Sequence, residues 1–147
     1  MSSLFLAHLF ATFFLTGLIW VIQLVHYPSF HYIAFDRDQF SKFHTFHSRQ
    51  ISLIVVPMMA LELFTAICLF YLEPSTLWVL NLLSILMIWK TTFLVSVPLH
   101  NKLSQPSLSD DDLKKHISKL VASNWARTTI WTARSLILIY LAGEFFF

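Results

Sequence analysis

Two histidines stand three residues apart in F-H-T-F-H, residues 43–47, at the mouth of a long apolar run. Side chains at i and i+3 share a helical face, so both rings can reach one ion, and bundle cores recruit further ligands from facing helices. His44 and His47 are therefore candidate metal ligands. His26 and His100 are expected at matching depth on other segments. Imidazole suits iron, copper and zinc alike, and a haem is open to the same donors. The competing reading is a set of interfacial histidines bonded to loops and lipid headgroups, and acid–base or substrate contact is a third. His8, His31 and His116 are expected to be peripheral.

Four further ionisable residues lie within apolar stretches: Glu62, Lys90, Arg127 and Arg134. A charged side chain at mid-membrane costs about +2.5 to +3.5 kcal/mol on insertion scales, so each requires a reason. Their spacing supplies one. Asn124, Arg127, Thr128, Trp131, Arg134 and Ser135 fall on one helical face. So do Thr16, Trp20, Gln23 and Tyr27, then Trp89, Thr92, Ser96 and His100, then His44, His47, Met58, Glu62 and Thr65. Four polar stripes turned inward predict a polar core with a histidine-rich floor. Glu62 lies 15 residues beyond His47, and Arg134 lies 15 beyond Lys119, both about 22 Å up their helices. They are candidates for a buried ion pair, which Lys90 is expected to approach from slightly lower. Catalytic roles fall to Glu62, as a proton acceptor, and Arg127. Substrate contacts fall to Asn124, Trp131, Arg134, Lys90 and Gln23. The structural alternatives are a register-fixing ion pair and helix–helix hydrogen bonds.

The elements that must position these groups are membrane helices. The chain has 147 residues, 56% hydrophobic and 12% charged, where a soluble domain carries about 25% charged residues. Four stretches reach the roughly 20 apolar residues that a bilayer needs, at about 4–27, 50–71, 77–99 and 120–142. The first lacks the positive start of a signal peptide and is expected to be retained. Loop lengths predict an all-α, antiparallel four-helix bundle forming a single transmembrane domain over 1–147. Arg37, Lys42 and Arg49 lie in one connection, and Lys102, Lys114, Lys115 and Lys119 in another. The positive-inside rule puts both in the cytoplasm and both termini outside. Helical extensions are expected over about 36–49, opened by a capping box at D-R-D-Q, and 109–119, opened by Ser109 before three aspartates. Pro28 and Pro106 read as punctuation, Pro57 and Pro98 as kinks. Trp78 suits an interfacial belt, while Trp89 and Trp131 are expected deep.

The net charge of +2 and the absence of any basic-aromatic motif argue against nucleic acid. The single cysteine, Cys68, rules out a disulfide framework. No nucleophile triad, phosphate loop or dinucleotide fingerprint is present.

V-H-Y-P at 25–28, F-H-x-x-H at 43–47, P-x-x-x-x-E at 57–62, V-P-L-H at 97–100 and N-W-A-R-T-T-I-W-T-A-R at 124–134 together resemble a widespread group of small bacterial four-helix membrane proteins. More distantly, V-P followed by N-W-x-R-T is similar to the anthrone-oxygenase-like superfamily, whose fungal members oxidise aromatic polyketides with dioxygen. The resemblance implies a multi-pass protein of the bacterial inner membrane and an enzyme acting on a small hydrophobic molecule. The leading expectation is a metal-binding oxidoreductase or oxygenase on a lipophilic substrate. A small-anion or proton-coupled carrier is the second, and it would need a homodimer to provide alternating access. A structural or assembly subunit is the third, marked by a core in which every buried charge is paired.

Overall fold

A chain crossing lipid must satisfy its own backbone polar groups, and a helix does so internally. The computed structural model describes residues 2–146, with side chains over 3–143, and is built of helices. Helices α1 (Ser3–Ile33), α2 (Arg37–Leu72) and α3 (Thr76–Leu103) are each long and apolar enough to cross a membrane. Helix α4 (Asp110–Phe146) is as long, but Asn124, Arg127, Arg134 and the lysines of its early turns dilute its apolar character. Short connections make successive helices antiparallel. Helix α1 packs on α2 and α4, and α3 packs on the same two. The α1–α3 and α2–α4 pairs therefore face each other across the core.

Side-chain caps set three of the helix starts. Asp36 accepts from the Gln39 backbone N–H at 3.1 Å and from Gln39 Nε2 at 3.0 Å. In a capping box the glutamine would return to the cap's own N–H; here it returns to the carboxylate and closes the same turn. Ser75 Oγ accepts from the Trp78 N–H at 3.4 Å, and Ser109 Oγ from the Asp112 N–H at 3.2 Å. Such caps are worth about 1 kcal/mol each. Arg37 bonds Asp110 through Nε at 2.8 Å, tying the start of α2 to the start of α4. That guanidinium holds the Asp110 carboxyl below its ordinary value.

One proline departs from the sequence expectation. Pro28 does not end the first helix, which continues to Ile33. Instead a π-helical turn, Ile22–His26, directly precedes it, with the Tyr27 N–H bonded to the Ile22 carbonyl. The same device precedes Pro98: the turn Thr92–Ser96, with the Val97 N–H bonded to the Thr92 carbonyl. Proline brings no N–H and its ring presses on the carbonyl one turn below, so a widened turn relieves the clash. Pro57 sits inside α2, which remains one helix. The two π turns carry Gln23, His26, Thr92 and Ser96, all of them near the site described below.

The bundle is apolar outside and polar within. Leu53 is 66% exposed, Leu94 66% and Leu136 63%, while Glu62 is 0% exposed and Arg134 3%. Water would favour the reverse arrangement; lipid favours this one. The protein is a multi-pass membrane bundle with a buried polar network containing histidine.

Candidate functional site

The core holds two polar layers. The first lies toward the α2–α3 turn. Arg134 Nη1 meets Glu62 Oε1 at 2.7 Å, a buried ion pair across the α2–α4 diagonal. Thr12 Oγ1 donates to Glu62 at 2.9 Å, and Trp131 Nε1 donates to the same carboxylate at 3.2 Å. Arg134 Nε donates to Asn81 Oδ1 at 3.1 Å; Asn81 Nδ2 lies 3.2 Å from His8 Nε2, and His8 Nδ1 lies 2.9 Å from Thr65 Oγ1. All four helices contribute.

The expected Glu62–Arg134 pair is thus formed, but Lys90 does not approach it. Its side chain is exposed on the outer face of α3, and no described residue bonds it. Asn81, nine residues nearer the start of α3, makes the contact to Arg134 that was anticipated for Lys90. His8 is fully buried rather than peripheral. The signal was present in the sequence, since His8, Thr12 and Thr16 are spaced by four and extend the first helix's polar stripe by two turns. Trp78, two residues into α3, is buried at 6% exposure and packs edge-on against Phe5 and His8.

The second layer lies toward the histidine end. Arg127 Nη2 donates to Asn124 Oδ1 at 2.5 Å and to the Tyr27 hydroxyl at 3.4 Å, and Nη1 donates to Thr92 Oγ1 at 3.4 Å. Asn124 Nδ2 donates to Gln23 Oε1 at 2.8 Å. The Tyr27 hydroxyl lies 3.0 Å from His100 Nε2, His100 Nδ1 lies 3.0 Å from His44 Nε2, and His44 Nδ1 lies 2.9 Å from Ser104 Oγ. An unbroken chain of hydrogen bonds therefore runs from Gln23 and Asn124 through Arg127, Tyr27, His100 and His44 to Ser104, at the end of α3.

His26 and His47 form a neighbouring pair, ring centroids 3.8 Å apart, packed on Phe30. The four candidate ligands are thus close in space but divided two and two. Both nitrogens of His44 and both of His100 are in hydrogen bonds. His26 Nε2 is buried without a partner. Among the described residues, no three His, Cys, Asp or Glu side chains are grouped to hold a metal ion.

Between the two layers is a cavity of about 150 Å³. Its walls are apolar, with Ile19, Val55 and Met59 among them, but Tyr27, Trp89, Thr92, Ser96, His100 and Arg127 also line it. Ser52, Val56, Phe93 and Val97 line it as well and are exposed on the outer face of α2 and α3, so the cavity opens sideways toward lipid. Three lining residues keep a buried polar atom without a protein partner: Trp89 Nε1, Ser96 Oγ and Arg127 Nε. Each such atom costs about 1–3 kcal/mol if nothing bonds it. Trp131 closes the top of the cavity and joins it to the Glu62 layer.

The predicted site residues therefore separate by layer. Arg127 and His100 line the cavity's lower wall, with Asn124 and Gln23 bonded in turn behind Arg127 and His44 behind His100. Glu62 and Arg134 belong to the other layer, with Trp131 between. Tyr27, which the sequence reading placed on a stripe without assigning it a role, is the link between Arg127 and the histidines. No family model, curated protein or solved structure matches the chain.

Proposed function

We propose that the protein is an intramembrane enzyme for a small lipophilic molecule with an acidic or electron-rich end. The molecule enters the cavity sideways from the bilayer and seats that end at Arg127. Tyr27, His100 and His44 then carry a proton between it and the histidine end of the bundle. One observation carries this reading: Arg127 is a cation at 7% exposure, on the wall of an apolar cavity, with only neutral groups in reach. Among the described residues no carboxylate lies within ion-pair distance of it. A buried charge is costly unless paired, and a ligand that is anionic, or becomes so during reaction, would pair it. A purely structural subunit would have paired both arginines as it pairs Arg134. The Lys and Arg bias of the connections supports placing the histidine end at the cytoplasm and both termini outside.

The test uses the protein in lipid nanodiscs and 2-hydroxy-1,4-naphthoquinone, a bicyclic acid that is anionic at neutral pH. Saturable quenching of tryptophan fluorescence is expected, with at least a tenfold stronger affinity than for uncharged 1,4-naphthoquinone, the order of one charge-assisted hydrogen bond. Val55→Trp, which fills the cavity from its apolar wall, should abolish it. Equal affinity for the two quinones, or quenching untouched by Val55→Trp, would overturn the reading.

A second reading keeps the histidines as metal ligands, and the clustering of four rings at one end favours it. Iron, copper or a haem would supply redox chemistry, making the enzyme an oxidoreductase or oxygenase, whereas zinc would serve as a Lewis acid. His26 Nε2 is free to bind; His44 and His100 would have to exchange their mutual hydrogen bond for the metal. Elemental analysis and an absorption spectrum of the purified protein separate the two. Stoichiometric metal or a Soret band, lost in His44→Ala/His47→Ala, makes these residues ligands. The proton-relay reading expects no stoichiometric metal, and none to be lost in that variant.

A further inference from the structure

A second cavity, of about 180 Å³, opens between α3 and α4 beside the Glu62–Arg134 layer. It is separate from the site proposed above and shares no lining residue with it. Leu77, Leu80, Ile130 and Ile137 wall it, and Asn81, Ser84 and Arg134 supply its polar surface. Leu77, Leu80 and Ile137 are also exposed on the outer face of the bundle, so this cavity too meets lipid. Arg134 is buried and its Nη2 has no protein partner.

We propose that this cavity binds the acyl chain and ester carbonyl of a membrane lipid, with Arg134 Nη2 donating to the carbonyl oxygen. Three observations select that occupant. Arg134 already has its charge balanced by Glu62 at 2.7 Å, so the remaining N–H suits an uncharged acceptor better than a free anion. The apolar wall is aliphatic throughout, whereas the first cavity includes Trp89, Phe93 and Trp131; it fits a flexible chain rather than a ring. Asn81, bonded to Arg134 Nε, lies five residues into α3, about 7 Å below the helix start. That is near the boundary between a hydrocarbon core of about 30 Å and the interfacial zone, where ester groups reside. Asn81 and Glu62 fix the guanidinium from two sides, leaving Nη2 as the donor for the lipid.

The experiment is native mass spectrometry of the whole protein released from mixed micelles. The micelles contain equal amounts of diacyl phosphatidylethanolamine and its dialkyl ether analogue, matched in headgroup and chain length. One ester lipid retained per chain is expected, preferred about tenfold over the ether lipid, since the ether lacks the carbonyl that Arg134 would bond. Arg134→Lys keeps a cation for Glu62 but removes the second donor, and should bring the preference to about one. Ala133→Trp fills the cavity from its lipid-facing wall without touching Arg134, and should lower retention of both lipids. If Arg134→Lys fails to fold, Ala133→Trp decides alone. Equal retention of the two lipids by the unaltered protein overturns the proposal. So does an ester preference that survives Arg134→Lys, or lipid retention that survives Ala133→Trp. None of these outcomes bears on quinone binding in the first cavity.

Discussion

Glu62→Ala is expected to destabilise the bundle by about 3–5 kcal/mol, the cost of leaving a buried charge without its partner. The carboxylate is the hub of its layer. It accepts from Arg134 at 2.7 Å, Thr12 at 2.9 Å and Trp131 at 3.2 Å, all out of contact with solvent or nearly so. Truncation leaves three donors unmet and a buried guanidinium whose remaining bond is to the neutral Asn81. The pair itself need not be strongly stabilising, because removing two charges from water consumes much of their attraction. The paired variant Glu62→Gln/Arg134→Met should therefore stand closer to the unaltered protein than Glu62→Ala does. Unfolding of the detergent-solubilised protein by titration with a denaturing detergent measures both. A Glu62→Ala protein within about 1 kcal/mol of the original would mean that Arg134 finds other partners, as polar groups in membrane proteins sometimes do. A double variant no more stable than the single one would mean that the pair contributes well beyond satisfying its own charges.

The ion pair shows what sequence periodicity can reach. Two polar residues, each 15 positions beyond a basic residue at the histidine end of its helix, had to stand at similar heights if both helices ran the same way. Height was legible, and so was the inward turn of the stripes, because outward-facing charges are costly in lipid, a cost that Lys90 alone of the four in-span ionisable residues bears. Height taken without the helical face misplaces Lys90, and a residue taken without its neighbours misplaces His8. Lys90 lies next to Trp89, which faces the cavity, and two residues before the π turn that begins at Thr92. One position on a helix is about 100° of rotation, enough to carry its ammonium to the outer surface. The π turns themselves were not foreseen; their signal was a proline two residues beyond each, at Pro28 and Pro98, within an otherwise uninterrupted apolar run. His8 was expected to be peripheral, although its spacing to Thr12 and Thr16 placed it on the polar stripe. Which polar groups would bond to one another, as Tyr27 does to His100 and Asn81 to Arg134, depends on rotamers and interhelical distance, and residue spacing contains neither.

Arg127→Met is expected to act in the opposite sense from Glu62→Ala: little loss of stability, and a loss of about 10- to 100-fold in affinity for 2-hydroxy-1,4-naphthoquinone, the range of a hydrogen bond to a charged group. Both arginines are buried on the same face of α4, seven residues apart, yet only Arg134 has a carboxylate. Arg127 is held by two hydroxyls and an amide oxygen, which position a guanidinium but do not neutralise it. A fold selected for stability alone would gain by exchanging such a cation for an apolar side chain, so its presence points to a cost offset by function. The bound quinone's visible spectrum gives a second readout. A nearby cation favours the ionised form, so the wild-type complex should retain the anion's absorption to lower pH than the free quinone does in the same lipid. That displacement should vanish in Arg127→Met and persist in part in Arg127→Lys, which keeps the charge but not the fork of donors. If Arg127→Met instead unfolds the protein while Arg127→Lys binds the quinone normally, the guanidinium is a structural tether between α4, α1 and α3. The cavity's polar end would then have to be sought at Trp89 and Ser96.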